Sequence, residues 1–249
     1  MINVKLGLVE GLVLARKGSK GLPGKNLKIL GPAPLISHSI AAGLLANSIN
    51  DTYFSSDCDE MIEIANKMGA KVPFIRPSKI SEDFATDLDV IKHFLNWYHE
   101  NIGYIPEYIV QLRPTLPYRK IKWIEDCINL ALEHKYDCVR TISDVNQTPY
   151  KMWLRRDDGM INPFAQIDGI QESFNLPRQL LPRVFYHTGQ IDVIKSSLVL
   201  ENNSLTGQKI YGYETINTYN IDIDTLEDFV DAERSFNILC DPIIKDYLA

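Results

Sequence analysis

Histidine and cysteine are scarce in this 249-residue chain, at five and four, and Cys58, Cys127, Cys138 and Cys240 stand apart without a C-x-x-C pair. That spacing excludes a zinc ribbon or a disulfide framework and points to reduced, packed thiols. No apolar run reaches the roughly 18 to 20 residues that cross a bilayer. The apolar start of the chain is interrupted by Glu10 and runs into a basic loop rather than a cleavage site, so a cytoplasmic compartment is expected. An excess of basic residues is also missing: 26 Lys and Arg stand against 32 Asp and Glu, a net charge of -6. A general nucleic-acid binder needs a cationic face, so that class is excluded, and no membrane partner is expected. Internal repeats and low-complexity tracts are absent. What remains, 45% hydrophobic and 23% charged, suits one large α/β domain, or a core with one insertion.

The first half alternates strand-like and helix-like segments, the pattern of a Rossmann-like, mostly parallel sheet with flanking helices. Strands are expected at 8–15, 52–55, 108–112 and 138–142, and helices at 35–46, 86–100 and 121–134. Asp57 with Glu60 reads as a capping box that opens another helix, closed by Gly69. Beyond Thr148 the pattern changes. Segments 151–154 and 160–161 flank Asp157-Asp158-Gly159, a hairpin turn, and 162–182 follows without periodicity. Phe164, Ile167, Ile170, Phe174 and Leu176 in that stretch favour an arm that docks on a partner subunit over disorder. Three regions result: an α/β core at 1–148, a dimerisation arm with its hairpin at 149–182, and the rest of the core at 183–249. The last holds strands at 184–194 and 220–223 and a helix at 226–239.

Residues 14–26 are the most informative. Leu-Ala-Arg-Lys-Gly-Ser-Lys-Gly-Leu-Pro-Gly-Lys-Asn follows a buried strand and carries four cations and three glycines. Glycines let backbone N–H groups approach an anion, and the cations neutralise it. The loop is neither a Walker A motif nor G-x-G-x-x-G, because five residues separate Gly18 from Gly24 and Asn26 follows Lys25. A solvated basic turn has the same composition. Its place after the first strand favours phosphate binding, since ligands collect at the carboxyl ends of parallel strands.

Near the other end lies Ile221-Asp222-Ile223-Asp224-Thr225. Alternation along a strand puts Asp222 and Asp224 on one face, where both reach one hard cation such as Mg²⁺. Alternatively Asp224 ends the strand and Thr225 caps the next helix with Asp228 at its third position, which leaves Asp222 without a role.

The loop Ala-Arg-x-Gly-Ser-Lys-Gly-Leu-Pro-x-Lys-Asn-Leu resembles the opening signature of the acylneuraminate cytidylyltransferases, which make CMP-sialic acids and their bacterial relatives. The resemblance continues in order through Ser55-Ser56-Asp57, Arg76-Pro77 to Asp83, Arg113-Pro114-Thr115-Leu116-Pro117-Tyr118-Arg119, Pro149-Tyr150-Lys151, Pro177-Arg178-Gln179-Leu180-Leu181-Pro182 and Asp222-Ile223-Asp224-Thr225. It implies that Arg16, Gly18, Ser19 and Lys25 hold the CTP phosphates, with Asn26 near the nucleotide and Arg76 and Asp83 beside the cytidine. Arg113, Thr115, Gln179 and Thr188 are implied for the acidic sugar, and Lys151 and Arg178 for reaching a neighbouring subunit's active site in a homodimer. Asp222 and Asp224 are implied as Mg²⁺ ligands. Arg113 stands where the family has Gln, and Thr188-Gly189 where it has Asn-Gly.

The reaction implied is attack of the anomeric hydroxyl of a nine-carbon 2-keto-3-deoxy acid on the α-phosphorus of CTP, with release of pyrophosphate. Arg16, Lys25, Asp222 and Asp224 would carry it. The same chemistry on legionaminic, pseudaminic, deaminated neuraminic or 3-deoxy-octulosonic acid is the alternative. A nucleotide-sugar glycosyltransferase and a non-catalytic nucleotide-binding regulator are the rivals from other classes. His38, His93, His99 and His134 fall on expected helices, where packing or solvent claims them. His187, beside Thr188, is left unassigned.

Overall fold

Strands buried on both faces need helices on both sides, and the near-continuous apolar run Leu12–Val13 with Tyr108, Ile109 and Val110, all close to fully buried, imposes that arrangement. The structure, a computed structural model, describes residues 2–249. The first half contains β1 (Val4–Leu14), β2 (Ile29–Leu30), β3 (Ala33–Pro34), α1 (Leu35–Leu45), β4 (Thr52–Ser55), α2 (Asp59–Met68), α3 (Asp87–Ile102) and β5 (Ile105–Gln111). The second contains α4 (Ile121–His134), β6 (Cys138–Asp144), β7 (Trp153–Arg155), β8 (Ile161–Pro163), β9 (Phe185–Lys195), α5 (Ser196–Asn202), β10 (Ile210–Glu214), α6 (Leu226–Leu239) and α7 (Pro242–Leu248).

Six strands form one sheet in the order β10-β6-β9-β5-β1-β4. β1 runs parallel to β4 and β5, and β10 parallel to β6. β9 is antiparallel to both its neighbours. The expected mostly parallel sheet is therefore present. One face packs α1, α2, α4, α6 and α7 over Val13, Val110 and Val193. The other packs α3 and α5 over Leu12, Ile109 and Ile194. From β1 the chain winds outward to β4, then returns to pair β5 on the opposite side of β1. That reversal opens a crevice at the carboxyl ends of β1 and β5, where open α/β sheets bind their ligands.

α3 shows how local sequence anchors this scaffold. Thr86 accepts from Asp89 N–H while the Asp89 carboxylate accepts from Thr86 N–H, a capping box worth about 1 kcal/mol. Ile91, Phe94, Leu95 and Tyr98 repeat at helical spacing and are buried, and Gly103 stops the helix in the left-handed region. Loss of the Phe94 ring would cost about 3–5 kcal/mol.

Several expectations change. Asp57 does not cap α2: Cys58 holds that position without a side-chain bond. The Asp57 carboxylate instead accepts from the Lys17 backbone N–H at 2.7 Å, tying the basic loop to the end of β4. Residues 220–223 form no strand, although the alternation survives, with Ile223 buried and Asp222 and Asp224 exposed. β10, α5 and α7 were not anticipated.

The β7–β8 hairpin turns through residues 156–160 as expected. Residues 164–182 carry only 3₁₀ turns at Ser173–Asn175 and Arg178–Leu180. Trp153, Leu154, Met160, Ile161, Phe164 and Leu180 of this region are exposed.

Candidate active site

The basic loop leaves β1 through Ala15, whose N–H donates to Ser55 O at 3.1 Å, and turns back at Lys25–Leu27. With the segments after β4 and β5 it encloses a cavity of about 390 Å³ lined by Arg16, Lys25, Arg76, Gln111, Arg113 and Asp224 among others. Gly18, Ser19, Asn26, Asp83 and Thr115 also line it. Of the residues singled out in the sequence for nucleotide, all lie on this cavity.

Lys25 ties the two ends of the chain together. It is 9% exposed, and its Nζ donates to Ile223 O and pairs with Asp224 Oδ1, both at 2.7 Å. Gly21 allows the loop to come this close, because a Cβ there would overlap the carbonyl oxygen of Asp224. The Asp222–Asp224 segment is fixed from the other side by the Ile223 N–H, which donates to Thr115 O at 2.9 Å. Thr225 and Asp228 then form the capping box that starts α6. The helix-cap reading and the carboxylate-pair reading thus hold together: Thr225 caps, while both aspartates remain outside the helix.

Arg16 pairs with Asp83 at 3.0 Å, and Lys20 reaches the other oxygen of Asp83 at 2.7 Å. The Lys20 and Arg16 contacts hold the Asp83 carboxyl below its ordinary value. Arg76 is 5% exposed; its Nε donates to Ser55 Oγ at 3.0 Å and its Nη2 to Ser55 O. Burial pushes its guanidinium down to about 10. Asn26 Nδ2 donates to Arg16 O at 3.3 Å, while Asn26 Oδ1 and Ser19 Oγ are buried without a partner among the described residues. Buried polar atoms are costly when unpaired, so these two mark the cavity as a place for a polar ligand.

Asp224 lines the main cavity, whereas Asp222 lines a second depression with Asp228 and Asp231. The protein packed behind Asp222 raises its carboxyl above the ordinary value, Asp224's charge raises it further, and bonding to Thr115 pulls the other way. Two carboxylates this near in the chain, with Asp224 bearing on the ionisation of Asp222, are the oxygen donors a hard divalent cation takes, with phosphate and water as its remaining ligands. Among the described residues no three His, Cys, Asp or Glu side chains gather as a complete metal site.

Arg113 is engaged at both ends of its guanidinium. Nη1 donates to Gly189 O at 3.1 Å and pairs with Asp192 at 2.6 Å; Nη2 pairs with Asp87 at 2.9 Å and donates to Gln111 Oε1 at 3.2 Å. Burial alone would lower this group, but the Asp192 and Asp87 charges outweigh it and the net shift is upward. Arg119 braces the same loop. It is fully buried and donates to Gln190 O, Ser39 Oγ, Arg113 O and Leu116 O at 2.6–3.0 Å. Burial, with the Arg113 charge adding to it, pushes its guanidinium down to about 9.

The remaining sugar-site expectations lie apart from the cavity. Thr188 is buried, with its hydroxyl bonded to Thr141 at 2.7 Å, which replaces ligand contact by a strand-to-strand tie. Lys151 donates to Phe174 O at 3.3 Å and Arg178 to Val145 O at 3.4 Å, both on the arm, where Gln179 is exposed. Sequence reading also passed over Asp87, Gln111, Lys20 and Asp192. Asp192 had a signal: a lone carboxylate flanked by Ile191 and Val193 in a strand needs a partner once buried.

Residues 11–152 match the family model described as Cytidylyltransferase. The N-acylneuraminate cytidylyltransferase of Streptococcus agalactiae is 30% identical over 221 residues, covering 88% of this chain and 51% of that protein. The CMP-N,N'-diacetyllegionaminic acid synthase of Legionella pneumophila is 32% identical over 159 residues, 62% of this chain and 65% of that protein. A solved CMP:2-keto-3-deoxy-manno-octonic acid synthetase complexed with CTP shares the fold, with a TM-score of 0.67 at 14% identity over 92% of this chain and 98% of that one. The chain spans about half the length of the acylneuraminate relatives it matches.

Proposed function

This chain belongs to the cytidylyltransferase family, and on that footing we propose that it transfers CMP from CTP to the anomeric hydroxyl of a nine-carbon acidic sugar, releasing pyrophosphate. One observation carries the reading: the cationic loop after β1 and the Asp222–Asp224 segment, about two hundred residues apart, meet through the Lys25–Asp224 pair on the wall of one cavity.

The chemistry asks for positioning and charge stabilisation, because no bond to the protein need form. Arg16, Lys20 and Lys25 supply cations for the triphosphate and for the pyrophosphate that leaves. Ser19 Oγ has a hydrogen free to donate to a phosphate oxygen, and Arg76, buried against Ser55, presents its remaining N–H groups to the nucleoside. The donor set of Asp222 and Asp224 fits Mg²⁺, which when bound would polarise the α-phosphate and offset charge on the leaving group. Lys25 keeps Asp224 oriented toward the phosphates.

The exposed apolar residues of the arm favour a homodimer, with Lys151 and Arg178 carried to the partner's cavity. No helix among the described residues is long and apolar enough to cross a membrane, and the cytoplasm is the compartment proposed. The likeness to a CMP-N,N'-diacetyllegionaminic acid synthase favours testing legionaminic and related acids beside N-acetylneuraminic acid. The decisive assay mixes the protein with CTP, Mg²⁺ and a panel of 2-keto-3-deoxy acids and measures pyrophosphate. CMP-sugar formation with at least one acid is expected. Silence with every acid, or transfer from a ready-made nucleotide sugar, overturns the proposal.

A further inference from the structure

Strand register aligns a row of polar side chains across the sheet beside the cavity. Gln111 of β5 pairs with Asp192 of β9, and Asp192 pairs with Arg140 of β6. Side chains two residues apart on a strand share a face, and Cys138, two before Arg140, packs in the α3 and α5 core with Ile109. The row therefore lies on that face. The next pair along, Ile142 with His187, puts the imidazole one step nearer the open end.

Asp192 is the hub. Its carboxylate is fully buried, with Oδ2 on Arg113 at 2.6 Å and Oδ1 on both Arg140 Nε at 3.0 Å and His187 Nε2 at 2.9 Å. Gly189 keeps the start of β9 close to this cluster: it sits at φ +76, and a Cβ there would crowd Leu116. Arg113 spends both terminal nitrogens on Asp87, Asp192, Gln111 and Gly189. It is a brace and has no terminal N–H left for a ligand.

Arg140 and His187 differ. Among the described residues Arg140 donates through Nε, and His187 bonds through Nε2, to the same Asp192 oxygen. Their side chains are 24% and 33% exposed, so both reach solvent beyond the Asp192 contact. The single carboxylate that holds them faces inward. What the cluster shows outward is the terminal N–H groups of Arg140 and, when the imidazole carries both protons, the Nδ1–H of His187, joined to the cavity wall through Arg113 and Gln111.

We propose that Arg140 and His187, set side by side by Asp192, form an anion subsite that receives the carboxylate of the acidic sugar. It rests on the functional reading above and deepens it. A planar guanidinium is suited to a carboxylate, and in a 2-keto-3-deoxy acid that carboxylate sits on the anomeric carbon. Gripping it would turn the attacking hydroxyl toward the triphosphate end of the cavity. The subsite would also make negative charge at C1 a condition of tight binding.

The test separates binding from turnover. N-acetylneuraminic acid and 3-deoxy-octulosonic acid, each as free acid and as methyl ester, are titrated calorimetrically into wild type, Arg140→Gln and His187→Gln in the presence of a non-hydrolysable CTP analogue. Pyrophosphate release is scored in parallel. Losing a hydrogen bond to a charged group should weaken acid binding about tenfold or more. Ester binding and affinity for the CTP analogue should hold, so the acid-to-ester preference collapses. Arg140→Lys, which keeps the charge, should restore part of that preference, and thermal melts with the analogue bound check the fold. Equal weakening of acid and ester, an unchanged preference, or no binding of either acid by wild type overturns the subsite. Selective loss of acid binding without pyrophosphate from any sample supports the subsite and defeats the proposed reaction instead.

Discussion

Asp192→Asn is the substitution from which most can be learned, because the wild-type carboxylate answers three donors at once. Asn offers one carbonyl oxygen and an NH₂ group that would face an arginine or imidazole N–H, so at least one donor loses its acceptor. Removing one partner of a buried ion pair typically costs about 3–5 kcal/mol. Two features pull this case toward the lower figure: Arg113 retains Asp87 at 2.9 Å, and water reaches the Arg140 side chain, 24% exposed. A loss near 3 kcal/mol is expected, against a total stability of about 5–15 kcal/mol. With a urea m-value of about 3 kcal/mol/M, the midpoint should fall by about 1 M at unchanged slope. Burial alone would raise the Asp192 carboxyl, but the bond from His187 and the Arg113 charge win, and it lies well below its ordinary 3.8. A lowered folded-state value contributes stability above the unfolded value and loses it as pH falls toward the folded one. The gap between wild type and Asp192→Asn should therefore be flat from about pH 5 to 8 and narrow only below about pH 4. A loss under about 1 kcal/mol at pH 7, or a gap that widens in acid, would refute the assignment of Asp192 as the counter-charge of this cluster.

Other outcomes follow from single contacts. Glu10 is 1% exposed, and burial raises its carboxyl from 4.5 to about 7 despite the bond from Tyr98. Its contribution is thus full below about pH 4.5 and lost as pH rises through about 7, so Glu10→Gln should match wild type in urea melts at pH 5 and exceed it by up to about 3 kcal/mol at pH 8; equal midpoints at both values would contradict this. Gly21→Ala should separate the basic loop from Asp224 and depress turnover sharply. A Cβ at Gly18 meets nothing within 4 Å in the chain, so Gly18→Ala should fold normally and lose only CTP affinity, and comparable melting losses in both would count against the packing argument. Asp222→Ala should fold as wild type and lose turnover by about 100-fold or more, the scale set by one transition-state electrostatic contact; near-normal rates at limiting Mg²⁺ would remove it from the proposed metal site. Asp83→Asn should tighten binding of inorganic tripolyphosphate, since the competing anion on Arg16 and Lys20 is gone, whereas weaker binding would make Asp83 a ligand contact.

Local chemistry made much of this protein readable from residues alone. The bounds Thr52–Ser55, Ile121–His134 and Leu226–Leu239 emerge unchanged because apolar periodicity and nearby breakers act over a few residues. Thr225 and Asp228 cap α6 for the same reason, and alternation around Ile223 holds even without a strand. Association over long distances was not readable. No local pattern says that β9 runs antiparallel between β5 and β6, about eighty and fifty residues earlier in the chain, or that β10 closes the sheet edge. Asp57 looked like a cap because the competing donor, Lys17 N–H, lies forty residues away.

The cationic loop, the aspartate pair and their order along the chain are properties of the amino-acid sequence, set by residue type and short-range spacing. Their meeting at Lys25 and Asp224, the burial of Asp192 and the commitment of Arg113 to protein carboxylates are properties of the folded chain. The reason is physical: a charge's role depends on which donors and acceptors reach it and how much water is excluded, and only tertiary packing sets either.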